Sequence, residues 1–214
     1  VVSLYAQPTS LALGALGGIA TAVTAALVSH NRLIEVCAAS LVFVAVARVL
    51  AAMWLSRDAQ ANRDERVLEI AFEIGALTYA LLAGLIGAIT LGGGEGAHLP
   101  TLTISYALVY GVGIAARNAG RPAMAIGQLL LSSVPIMAVS LVLGGPVLYV
   151  LAGIVMFLIF GMVSITMNVF HVLREQILAA DTSAKMADQM RDQARTDVVT
   201  GLLNRAGLNH ELVE

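Results

Sequence analysis

The sequence predicts an all-α fold: a polytopic membrane bundle of six transmembrane helices that continues into a long charged helix. Three observations predict it. Hydrophobic residues make up 58% of the chain and charged residues 12%, against roughly 45–50% and 25% in soluble domains. The apolar residues fall into runs of about 20, the length that crosses a hydrocarbon core about 30 Å thick. Short polar breaks separate the runs, and arginines gather in alternate breaks. A net charge of −2 gives no basic excess for nucleic acid, and the single cysteine, Cys37, excludes an intrachain disulfide.

The spans follow in order. The first covers residues 10–29 and the second 33–55, with Asn31 and Arg32 between them. The third, 67–91, ends in the turn-forming string GGGEGAHLP, and the fourth, 101–116, is the shortest. RNAGRP precedes the fifth span, 122–143, whose Pro122 suits a first turn where a missing N–H costs nothing. GGP precedes the sixth, 147–169. With six spans, Arg57, Arg63, Arg66, Arg117, Arg121, Arg174 and Lys185 all fall on one side, and Arg32 alone on the other. That asymmetry places both termini in the cytoplasm. Three segments result: a six-helix transmembrane domain (1–168), a charged helix beyond the last span (169–195) and the start of a further domain (196–214).

Four ionisable residues interrupt the spans: Glu35, Arg48, Glu69 and Glu73. A charge deep in a bilayer costs upward of about 2.5 kcal/mol and demands a partner. Arg48 and Glu73 lie at similar depth on antiparallel neighbours, with Glu69 one turn away, so the sequence predicts an intramembrane Arg48–Glu73 pair. That pair is either a packing pin or a proton- or ligand-responsive switch. No histidine falls mid-span, which argues against a haem. His30 and His98 share the outer side with Glu95 and are candidates for a metal or an external anion, against ordinary solvated loop residues. Gly14 and Gly18 have GxxxG spacing, and Gly75, Gly84 and Gly87 recur in the third span, where small residues permit close helix packing. Gly111 and Gly113, with Ser105, Gln128, Ser132 and Ser133, make room for a small hydrophobic, lipid-like ligand or simply hydrogen-bond within the bundle.

Beyond the sixth span no helix breaker occurs from Met167 to Arg195. Phe170, Leu173, Ile177, Ala180, Ala184 and Ala187 repeat at alternating spacings of three and four, the heptad seam of a parallel dimeric coiled coil. The seam is bulky near the membrane and shrinks to alanine, with Arg191 interrupting it.

The chain closes on ARTDVVTGLLNRAGLNHELVE. Thr200 and Gly201 offer a turn; Asn204 is placed to cap a new helix, with Leu203 and Leu208 as a hydrophobic staple. This stretch resembles the entry to a GGDEF domain, the catalytic domain of diguanylate cyclases, which opens with a pattern like D-x-L-T-G-L-x-N-R-R-x-F after a coiled-coil helix. Asp197, Thr200, Gly201, Leu202, Asn204 and Arg205 match it, while Val199, Ala206 and Leu208 depart from it. The resemblance covers about a dozen residues. It implies the start of an α/β domain, a structural turn pair in Asp197 and Arg205, and no catalytic residue within this sequence. It further implies an enzyme of the bacterial inner membrane that condenses two GTP with Mg²⁺ into cyclic di-GMP as a homodimer. The alternatives are a receptor with a degenerate, non-catalytic GGDEF module ahead of a phosphodiesterase domain, and a six-span transporter.

Overall fold

The computed structural model describes residues 8–57, 65–94, 96–118 and 120–195. They form six helices: α1 (Pro8–Val28), α2 (Arg32–Arg57), α3 (Glu65–Gly92), α4 (His98–Arg117), α5 (Pro122–Leu143) and α6 (Pro146–Arg195). The six runs read from the sequence are these six helices, and no strand occurs among the described residues. Five of them are long and apolar enough to cross a membrane, and α1 adds the shorter apolar stretch Ala12–Val28. The protein is a helical membrane protein by that measure.

Local chemistry sets the helix ends. Asn31 Oδ1 accepts the Leu33 N–H at 2.9 Å, capping α2. Pro122 opens α5 without wasting a donor. Gly144 and Gly145, at φ 71° and 98°, turn the chain from α5 into α6, a left-handed conformation that other residues resist.

Packing centres on α3, which meets α1, α2, α4 and α5. Half of its most apolar window is buried, against 11% for α6. Six of the ten buried residues of α3 are alanine or glycine: Ala76, Ala80, Ala83, Gly84, Gly87 and Ala88. Small faces let helix axes approach closely where no hydrophobic driving force separates protein from lipid. The closest approach is to α5. A Cβ added at Gly84 would lie 2.5 Å from the Leu131 carbonyl oxygen and 2.7 Å from that of Ser132. Pro135, inside α5, explains the exposed acceptor, because it has no N–H to give the Leu131 carbonyl. The Gly84 main chain fills the notch. A pair of buried hydroxyls, Thr90 and Thr103 at 2.7 Å, ties α3 to α4.

Two compact units divide the chain, Val1–Met167 and Asn168–Glu214. In the first, the spanning part of α6 buries Ala152 and Val155 and leaves Val147, Val150, Phe157 and Phe160 exposed. In the second, the described residues continue α6 as far as Arg195. The motif residues Asp197, Thr200, Gly201, Leu202, Asn204 and Arg205 lie outside the described residues.

Candidate functional site

One stripe of α4 organises the most chemically distinctive region of the bundle. Tyr106, Tyr110, Gly113 and Arg117 follow one another at spacings of four, three and four, which puts them on a single face. Facing them are Gly14 and Gly17 of α1, Arg48 of α2 and Tyr79 of α3. Together with Leu13, Ala15, Ala45, Val109 and Ile114 they enclose a cavity of about 370 Å³. Leu13 and Val109 are 71% and 70% exposed, so the cavity opens between α1 and α4 on the bundle's perimeter.

The tyrosines form a connected wall. The Tyr79 and Tyr106 hydroxyls are 2.6 Å apart, and both lie against the Gly14 carbonyl, at 3.2 and 3.1 Å. Two hydroxyl protons thus serve three contacts, and neither tyrosine has a proton left to donate elsewhere. The Tyr110 ring stands 4.9 Å from that of Tyr79 and 6.2 Å from that of Tyr106. Gly18 is glycine because a side chain there would collide with both the Tyr79 and Tyr106 hydroxyls.

Among the described residues Arg48 has no counter-ion. Its guanidinium carbon sits 5.4 Å from the Phe72 ring centre and 5.7 Å from that of Tyr79, within cation–π range. Its stem lies across α3 at Gly75, where an added Cβ would be 3.2 Å from the Arg48 Cγ and Cδ. The Tyr110 hydroxyl lies close to this guanidinium, and Arg48 Nε and Tyr110 Oη are both buried with no well-aligned hydrogen-bond partner among the described residues. Arg117, at the end of α4, is half-buried. Burial first, and then repulsion from Arg48, pull its pKa below the ordinary guanidinium range, with Tyr110 acting the other way. Two cations therefore share one cavity, and among the described residues no acidic side chain lines it.

The predicted Arg48–Glu73 pair is not formed. Glu69 and Glu73 instead meet Arg121, just before α5, at 2.5 and 3.4 Å. The reason is angular. Phe72, Gly75 and Tyr79 are the α3 residues turned toward Arg48, and Glu73 lies about 100° around the helix from Phe72. The three members of the Arg121 cluster are each about a third exposed, with side-chain accessibilities of 35–40%. Ion pairs so exposed contribute little after screening. Arg121→Ala is accordingly expected to cost less than about 1 kcal/mol, read as a small, salt-sensitive drop in thermal midpoint in detergent; a loss above twice that would make the cluster the main pin.

Other candidates are dispersed. His30 and His98 are exposed, and among the described residues no three His, Cys, Asp or Glu side chains gather to hold a metal; Glu95 lies outside them. Of the GxxxG pair, Gly18 packs tightly while Gly14 faces open space. Gly111 packs against Ser132 and Leu129 of α5, so of the two α4 glycines Gly113 is the one that borders the cavity. Gln128, Ser132 and Ser133 are fully buried in α5 away from it, with Gln128 accepting from Asn118 at 3.2 Å. The tyrosines were missed at the sequence level; the α4 spacing of Tyr106, Tyr110 and Arg117 was the available signal. No family model, curated protein or solved structure matches the chain.

Proposed function

We propose that the chain is the membrane input region of a dimeric signalling protein of the diguanylate cyclase type. The bundle receives a signal, and α6 carries it to a GGDEF domain beginning near Asp197. The observation that supports this reading most is α6 itself: 50 residues without interruption, apolar in its first half and charged in its second. Leu173 and Ile177, on the heptad seam, are 39% and 69% exposed in the single chain. Paired seams would cover them, as a parallel coiled coil requires. The cytoplasmic termini and the bacterial inner membrane belong to this reading.

Under it, each protomer supplies half of a catalytic centre, and GTP with Mg²⁺ binds beyond this sequence. A bias of a few kcal/mol between two arrangements of the paired helices is enough to change how the halves meet. The test is cyclic di-GMP synthesis from GTP and Mg²⁺ by the full-length protein in nanodiscs. Activity is expected to rise steeply with two protomers per disc. An intact, dimeric protein that makes no product under any condition would point instead to a degenerate GGDEF receptor. Single cysteines at Leu173 and Ile177 are expected to crosslink between protomers, while one at Arg174 should not. Equal crosslinking at all three would remove the paired seam.

A further inference from the structure

We propose that the cavity between α1, α2, α3 and α4 binds the oxyanion head of an acidic amphiphile, which enters from the bilayer between α1 and α4. This site is separate from any output beyond α6, and binding to it is measured directly.

The charge arrangement argues for an anion. Arg48 and Arg117 converge on the cavity, and among the described residues neither has a carboxylate within ion-pair range. An unpaired cation inside a membrane bundle is costly and marks a functional site by default. The hydrogen-bond arrangement argues for an oxygen acceptor. Four buried side-chain polar atoms lack partners among the described residues, and two of the four, Arg48 Nε and Tyr110 Oη, belong to residues lining this cavity. Nε carries a donor, and the phenol has a proton that no neighbour accepts. Tyr79 and Tyr106 have already committed their protons to each other and to Gly14. The wall therefore offers donors at Arg48, Tyr110 and Arg117, which is the complement of a carboxylate or phosphate.

Shape and access argue for an amphiphile rather than a free ion. The volume of about 370 Å³ falls in the range of small-molecule sites, about 300–1,000 Å³. The rest of the lining is apolar: Leu13, Ala15, Ala45, Val109 and Ile114. The α4 stripe from Tyr106 to Arg117 extends the cavity over 11 residue steps, roughly 16 Å of helix, so a head at the arginines leaves room for a tail beside the tyrosines. Gly14 and Gly113 keep this path clear, since a Cβ at either meets nothing within 4 Å.

The experiment uses the protein in nanodiscs of zwitterionic phosphatidylcholine and radiolabelled hexadecenoate, a 16-carbon carboxylate. Saturable binding is expected, with hexadecyl phosphate competing and the neutral alcohol of the same chain failing to compete. Arg48→Met should weaken binding at least tenfold by removing the head contact. Gly113→Leu should do the same by filling the path, and the open space beside Gly113 allows it to fold. Thermal unfolding checks both variants, and Gly14→Leu replaces either one that fails. If phosphatidylglycerol in the disc abolishes hexadecenoate binding, the head comes from membrane phospholipid; if it does not, from a free amphiphile. Equal competition by the alcohol, or wild-type affinity in folded Arg48→Met and Gly113→Leu, would overturn the assignment.

Discussion

Gly84→Val in α3 is expected to be the most damaging single substitution in the bundle. Its Cβ would sit 2.5 and 2.7 Å from two backbone carbonyl oxygens of α5. Overpacking costs about 1–3 kcal/mol where side chains can move aside, and here the obstacle is main chain. The loss should reach or exceed the top of that range. Branching at Cβ adds further crowding against α5. The measurement is helical circular dichroism during thermal unfolding in detergent, with Gly113→Val as control because open space surrounds that position. A wild-type midpoint for Gly84→Val would mean that α3 and α5 do not meet at this notch.

Arg48→Met is expected to act in the opposite direction and stabilise the protein. Keeping a guanidinium in a bilayer interior costs about 2.5–3.5 kcal/mol, and two aromatic faces return about 0.5–2 kcal/mol. Without a carboxylate to complete the account, a thioether of similar length should raise stability by about 1–2 kcal/mol. It keeps the contact across Gly75. The readout is a thermal midpoint several degrees above wild type in discs free of acidic lipid. A midpoint that falls instead would make Arg48 a structural pin, as one of the two sequence expectations held. The combination of higher stability with weaker binding is the signature of a residue kept for function.

The spans were legible because composition and length speak directly to a hydrocarbon slab. The expected range 33–55 became Arg32–Arg57, and 122–143 was recovered unchanged as Pro122–Leu143. Depth was legible too, since residues near the same end of neighbouring antiparallel helices can be counted from the breaks. Angle was not. Arg48 and Glu73 were matched by depth, but the face of α3 toward α2 is set by Gly75, Phe72 and Tyr79, while Glu69 and Glu73 turn toward Arg121. An α3 in lipid is apolar nearly all round, so its sequence gives no strong amphipathic direction from which to choose. The same blindness hid the tyrosines, whose significance lies in Gly14, 65 residues from Tyr79 and 92 from Tyr106. The role of Pro135 was also out of reach, because it requires knowing which helix meets the carbonyl it frees.

That freed carbonyl has a mechanical result. Any slide of α3 along α5 by one turn would bring the methyl of Ala80 or Ala88 under the oxygens that Gly84 now admits. The α3–α5 pair is therefore keyed like a bolt in its slot against sliding by a turn. By contrast, a Cβ at Gly14 of α1 or at Gly113 on the outer face of α4 would meet nothing within 4 Å.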